Sequence, residues 1–174
     1  MPTYELSIEE AQASDAPAIQ NLLRKLSLET NFISETQAIL EISQEKLSYA
    51  LEQLNDKVDS ICLLARVNEQ VVGLISMSSG STVDTNHISE LFIVLDVSVR
   101  GQGLGKELMA IALDWAEQTP SIKKIELEVQ IANEVAVQLY QSFGFEIEGT
   151  RKHAVKLHNG KYSDVYLMGK LLDK

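Results

Sequence analysis

Residues 88–131 read in one order: an apolar strand, a loop with three glycines, an amphipathic helix and a second strand. The first strand, residues 88–97, carries Leu91, Ile93 and Leu95 on one alternate face and Phe92 and Val94 on the other, as a strand covered on both sides should; Glu90 interrupts it. Arg100-Gly101-Gln102-Gly103-Leu104-Gly105 follows, and Leu104, Leu108, Ile111, Ala112 and Trp115 then recur at helical spacing until Pro120. Residues 124–131 alternate cleanly, Ile125, Leu127, Val129 and Ile131 against Glu126, Glu128 and Gln130. A βαβ unit of this kind sets two parallel strands side by side with a helix crossing one face. The chain is therefore read as α/β, with the glycine loop at the end of a central strand.

Upstream, Ile61-Cys62-Leu63-Leu64-Ala65-Arg66-Val67 and Val71-Val72-Gly73-Leu74-Ile75-Ser76-Met77 are apolar runs separated by Asn68-Glu69-Gln70, the pattern of an antiparallel hairpin. Before them, Ser14 or Asp15 offers a cap to a helix whose Ile19, Leu22, Leu23 and Leu26 share a face, and Ser43 caps a second with Leu47, Ala50, Leu51 and Leu54. Residues 4–8 alternate weakly as a first strand, and residues 29–41 have no clear period. Downstream, Asn133 caps a helix bearing Ala136, Leu139, Tyr140 and Phe143 that stops at Gly144; residues 145–151 and 161–172 read as strands joined through Asn159-Gly160. No repeat or linker divides the 174 residues, so 1–174 is expected to be a single domain.

Composition closes off several functions. A formal net charge of −10 is the wrong sign for a phosphate-backbone footprint, so no nucleic acid partner is expected. Met1-Pro2-Thr3-Tyr4-Glu5 opens without a basic region and apolar run, and no segment approaches the ~20 apolar residues of a span, so no membrane is expected either. Cys62, the single cysteine, lies in an apolar run and reads as a small buried hydrophobe, consistent with a cytoplasmic location. His87, His153 and His158 have no ligand spacing, so no metal is assigned.

The glycine loop carries the chemistry. Glycines at a helix start let successive backbone N–H groups converge on one phosphate. Gly101-x-Gly103-x-Gly105 has neither the spacing of a dinucleotide fold nor that of a nucleoside triphosphatase, so it points to an anion without naming it.

The run from Glu90-Leu91-Phe92-Ile93 into Arg100-Gly101-Gln102-Gly103-Leu104-Gly105 resembles the GNAT superfamily of acetyl-coenzyme-A-dependent N-acetyltransferases. A second block, Asn133-x-x-Ala136-x-x-Leu139-Tyr140-x-x-Phe143-Gly144-Phe145, and a third, Gly160-x-Tyr162-x-Asp164 with Met168, are similar to the family's later signatures. The likeness covers residues 61–172. Arg100, Gly103 and Gly105 match the family's Arg-x-x-Gly-x-Gly/Ala pattern, and the proline common three residues before the arginine is Val97 here.

That resemblance implies a mixed, mostly antiparallel sheet of six or seven strands flanked by about four helices, its one central parallel pair splaying to bind coenzyme A. It implies that Arg100, Gly101, Gln102, Gly103, Leu104 and Gly105 hold the pyrophosphate of acetyl-CoA, and that main-chain groups of Ile93, Val94 and Leu95 pair with the pantetheine arm and polarise the thioester. Asn133 would bond the coenzyme, Tyr140 would lie near its sulfur as general acid, and Glu90 would serve as base directly or through water. Glu29, Thr30, Asn31 and Phe32 fall in the segment that covers the acceptor in such enzymes. The implied reaction is direct attack of a deprotonated primary amine on the thioester in a ternary complex, without metal and without Cys62 as nucleophile.

Each residue also has a plainer reading. Tyr140 falls on the apolar face of its helix and fits a core, Glu90 fits a solvated or ion-paired site, and Asn133 fits a helix cap. Tyr162 and Asp164 would stabilise the last strand. Rival functions are an acyltransferase with another acyl donor or acceptor, and a non-catalytic acyl-CoA sensor in which Tyr140 is only core. A homodimer is a further expectation, with Val165, Tyr166, Leu167 and Met168 serving either an interface or the core.

Overall fold

The computed structural model describes residues 5–33 and 37–174; Tyr4, read as opening the first strand, lies outside them, as do residues 34–36 of the aperiodic segment. Seven strands form one sheet: β1 (Leu6–Glu10), β2 (Ser60–Val67), β3 (Gln70–Ser79), β4 (Ile88–Leu95), β5 (Lys124–Gln130), β6 (Glu146–Lys156) and β7 (Tyr162–Leu171), in the order β1-β2-β3-β4-β5-β7-β6. Every neighbouring pair is antiparallel except β4 and β5. Five α-helices accompany them: α1 (Ala16–Glu29), α2 (Gln37–Glu41), α3 (Gln44–Asn55), α4 (Leu104–Gln118) and α5 (Glu134–Ser142). The short α2 sits inside the stretch that shows no period in the sequence.

The alternation of β4 divides the core in two. Leu91, with Ile93 and Leu95, joins the buried cluster of Leu104, Leu108, Met109 and Ala112 of α4 and Val137 and Tyr140 of α5. Val94, with Phe92, joins Leu22, Leu23 and Leu26 of α1 and Leu47 and Leu51 of α3. Helices therefore cover both faces of β4, which accounts for its apolar residues in both parities. The hairpin of β2 and β3 closes on two residues, Asn68 and Glu69, both at positive φ (49° and 69°), the twist that a tight antiparallel turn requires.

Some local expectations are corrected by packing. The Asp15 carboxylate does not cap α1: it bonds the Gln12 N–H at 2.8 Å and the Arg66 guanidinium at 2.6 Å, while a 3-10 turn at Ala13–Asp15 leads into the helix. The buried stripe of α4 is rotated from the one read, taking in Met109, Leu113 and Ala116 and leaving Ile111 exposed. β6 runs five residues beyond the strand read at 145–151, through a bulge where 152–154 stand opposite Asp164 alone. Of the four residues weighed as interface or core, Val165 and Met168 take the second alternative, buried in the core at 3% and 1% exposure.

Cys62 is buried on the face covered by α1 and α3. Burial first, then the Asp15 and Glu10 charges, push its thiol up to about 12. At pH 8 a thiol-specific reagent is expected to leave the native protein unlabelled, with modification tracking denaturant unfolding; stoichiometric labelling of the native form would contradict the burial.

Candidate active site

After β4, Asp96 caps a 3-10 turn at Val97–Val99, and Arg100 to Gly103 bring the chain to the start of α4. Gly101 and Gly103 take φ of +72° and +87°, and a Cβ on either would meet no atom within 4 Å, so the left-handed backbone borders open space. The first α4 bond runs from the Glu107 N–H to the Gly103 carbonyl at 3.1 Å. The amides of Leu104, Gly105 and Lys106 precede it and have no intrahelical acceptor, which gives an anion a set of donors at the positive end of the helix. Gly105 answers a different need: a Cβ there would lie 3.3 Å from Leu95 Cδ1 and 3.6 Å from Leu139 Cδ2, where α4 crowds the end of β4 and α5.

The loop is braced by its own side chains. Arg100 donates from Nε and Nη2 to the Leu95 carbonyl at 3.0 and 2.9 Å, and Gln102 Nε2 donates to the Ser98 carbonyl at 2.9 Å. Both residues, read as coenzyme contacts, hold the loop's shape through their side chains.

The parallel pair opens early. β4 and β5 are in register only at Ile88↔Lys124, Ser89↔Ile125 and Glu90↔Glu126, although both strands continue, β4 to Leu95 and β5 to Gln130. Toward β3, the Gly80 N–H bonds the Ile88 carbonyl and the Asp96 N–H bonds the Val72 carbonyl. By alternation, even-numbered residues of β4 direct their main-chain groups at β3, and Leu91, Ile93 and Leu95 direct theirs into the gap. Of the three residues read for the pantetheine arm, Ile93 and Leu95 therefore face the opening, whereas Val94 is paired across β3 with Leu74.

Tyr140 and Glu90 lie on opposite faces of the sheet. Tyr140 lies in the α4-side cluster, its ring 6.0 Å from that of Phe145 and inclined at 60°, with burial pushing its phenol up to about 12. Among the described residues its hydroxyl has no hydrogen-bond partner. Glu90 is exposed on the α1 side, at the last register position before the strands part. It lines an open groove with Ser78, Glu126, Glu128, Glu148 and Arg151. Lys124 pairs with Glu126 at 2.7 Å and with Glu148 at 2.9 Å, and Arg151 pairs with Glu128 at 2.9 Å, so Glu90 is the groove carboxylate without an ion-pair partner among the described residues. Glu128, passed over in the sequence as one residue of a polar strand face, shares the groove two positions beyond the last β4–β5 pair. Asn133 caps α5, accepting the Ala136 N–H at 3.4 Å.

The segment read as covering the acceptor is tied to β5 and to the β6–β7 turn. Glu29 ends α1, Thr30 Oγ1 accepts the Phe32 N–H at 3.1 Å, and the buried Gln130 amide donates to the Asn31 carbonyl. Asn31 Oδ1 accepts the His158 N–H at 3.3 Å. Gln130 and His158 were not singled out in the sequence. Gln130 sits in the polar parity of β5, which looks like a solvent face until Asn31 arrives to cover it.

Comparison with known proteins adds to this geometry. The family model described as Acetyltransferase (GNAT) family matches residues 23–145. The L-amino acid N-acetyltransferase of Escherichia coli K12 is 26% identical over 167 residues, covering 96% of this chain and 98% of that protein. The spermidine N(1)-acetyltransferase of Vibrio cholerae is 25% identical over 169 residues, covering 94% and 91%. A GNAT-family acetyltransferase from Streptococcus pneumoniae superposes with a TM-score of 0.90 at 34% identity, over 97% of this chain and 100% of that one. A Salmonella typhimurium structure with its cofactor acetyl-CoA shares the fold at a TM-score of 0.83 and 19% identity, over 98% and 95%.

Proposed function

The chain belongs to the GNAT acetyltransferase family and is an acetyl-CoA-dependent acetyltransferase, and from that premise we propose that it acetylates a primary amine within a ternary complex, residues 1–174 acting as one catalytic domain. The amine belongs to a small molecule or to a protein terminus or lysine. The observation that carries this reading is the early end of β4–β5 pairing beside a glycine loop that borders open space and leads into the unpaired amides at the start of α4. The residues present suit the cosubstrate: the loop offers donors for a diphosphate, and the free edge of β4 offers main-chain partners for the amides of a pantetheine arm.

Acetyl-CoA supplies a thioester carbonyl open to attack. On the α1 side, Glu90, directly or through water, takes a proton from the acceptor ammonium, since an alkylamine of pKa about 10.4 is protonated at neutral pH. The freed nitrogen lone pair forms the new C–N bond as the C–S bond breaks; the nitrogen then loses its surplus proton to solvent, and the departing thiolate takes one up from solvent. A main-chain N–H of Ile93 or Leu95, aimed into the gap, meets the charge that develops on the carbonyl oxygen, a contribution commonly worth about 10²–10³ in rate. On the α4 side, Tyr140 offers its O–H to the departing sulfur, and the Asn133 amide would bond the coenzyme. Glu29, Thr30, Asn31 and Phe32 form the acceptor cover that Gln130 fastens to β5.

Screening a panel of amino acids, polyamines and N-terminal peptides with acetyl-CoA, with free-thiol release as readout, tests the proposal. Turnover confined to one class of amine is expected. Tight CoA binding with no turnover on any amine would replace this reading with that of a coenzyme sensor.

A further inference from the structure

Resting on the coenzyme site proposed above, we propose that Lys25 is a positioning residue for that site: it holds and neutralises the Asp96 carboxylate so that the loop presents amides, and not an unpaired anion, to the coenzyme's diphosphate. Lys25 is on α1, far from the loop in sequence, and none of the three signature blocks includes it.

Asp96 occupies the junction of β4 and the loop. Its N–H bonds the Val72 carbonyl of β3 at 2.7 Å, anchoring the backbone, and its side chain is only 4% exposed. Oδ1 accepts the Ser98 N–H at 2.9 Å and the Ser98 hydroxyl at 2.8 Å; Oδ2 accepts Lys25 Nζ at 2.5 Å. Burial works toward the neutral acid, but the Lys25 ammonium and the Ser98 donors outweigh it and hold the carboxyl below the usual carboxylate range. Ser98 in turn accepts the Gln102 amide on its carbonyl, so the carboxylate is wired into the turn that aims the glycines.

A buried carboxylate is an odd choice at the root of a diphosphate site. Left unpaired, it would repel the incoming anion through a medium that screens poorly. Capping the 3-10 turn does not require a charge, since Ser98 alone satisfies Oδ1. Lys25 resolves the conflict, and it does so from a second direction. Its Nζ also lies 3.9 Å from Glu29, the last residue of α1 before the acceptor cover. One ammonium thus joins the root of the donor loop to the root of the acceptor segment.

The test is a double-mutant cycle on equilibrium binding of CoA, by calorimetry, with thermal midpoints measured alongside. Lys25→Met is expected to weaken CoA binding about tenfold and Lys25→Arg to keep it within about threefold of wild type. Adding Asp96→Asn to Lys25→Met is expected to recover most of the loss, because the carboxylate that needed neutralising is gone and an asparagine oxygen still accepts from Ser98. A double variant as weak as Lys25→Met would overturn the inference and make Lys25 a direct ligand of the coenzyme. A Lys25→Met protein with a lowered midpoint but wild-type CoA affinity would overturn it in favour of a purely structural pair. Should that single variant not fold, the double variant, in which no buried carboxylate is left unpaired, is compared with Asp96→Asn alone, and a tenfold gap between them overturns the inference. A wild-type protein that bound no CoA would instead bring down the functional proposal, and this inference with it.

Discussion

Tyr140→Phe is expected to lower kcat by about 10²–10³-fold while leaving the KM for acetyl-CoA within a few-fold, because the hydroxyl acts only on charge that appears as the thioester breaks. The substitution is well suited to isolate that atom. The Tyr140 ring is packed in the cluster under α4 and tilted against Phe145, contacts that a phenyl ring keeps, and the hydroxyl it loses has no partner among the described residues. A phenol raised to about 12 stays protonated at every working pH, so in the proposed role its O–H is available to the leaving sulfur throughout. Against a thiolate of pKa about 8.5 such an acid does not surrender its proton outright. Its contribution is donation to developing charge, with solvent completing the transfer. The pH–rate profile of the variant should therefore keep its shape and lose height. Linkage gives a second readout. Below pH 10 the phenol is neutral in both folded and unfolded chains. Between pH 10 and about 12 only the unfolded chain ionises, so the native protein loses stability as pH rises across that window, and Tyr140→Phe removes this component. Unchanged kcat in the variant would make Tyr140 a core residue and nothing more.

What the sequence discloses about this site depends on whether the physics is local. The βαβ unit is legible because Lys124 to Gln130 alternate and the residues of β4 are apolar in both parities, patterns that survive without knowing what packs where. The loop is legible because glycine at +72° and +87° answers a local conformational demand. Tertiary pairings are not legible in this way. Nothing near Asp15 indicates that Arg66, 51 residues away, takes its carboxylate and so leaves α1 to start from a 3-10 turn. Gln130 looks like the exposed member of an alternating strand, yet Asn31, 99 residues distant, buries it. The extent of the splay is equally hidden, since Leu91 to Leu95 look as fit for pairing with β5 as Ile88 to Glu90 do. Resemblance to a family suggested the proposed roles of Tyr140 and Glu90, and the structure adds that the two lie on opposite faces of the sheet.

Gly103→Val is expected to weaken CoA binding by about two orders of magnitude, the larger part of it from the backbone. A β-branched residue held at the +87° of Gly103 costs roughly 1–2 kcal/mol on steric grounds, about 5- to 30-fold if the loop must adopt that shape to bind. A loop that relaxes only in part keeps much of that strain and also turns its peptides away from the ligand, giving up helix-end attraction for an anion, a further ~0.5–2 kcal/mol. The new side chain also projects into the open space that the left-handed turn borders, where nothing of the protein lies within 4 Å of the Cβ. Gly103→Ala shares the strain and little of the bulk, so a loss nearer tenfold is expected from it. Gly149→Ala in β6, whose Cβ would meet only Leu167 at 3.9 Å, should bind CoA as the wild type does. Titration calorimetry with CoA on the three variants reads all of this directly. If Gly103→Val and Gly149→Ala bound alike, the main-chain amides at the start of α4 would not be the seat of the diphosphate, and the fold's open strand pair would have to hold the coenzyme by its pantetheine arm alone.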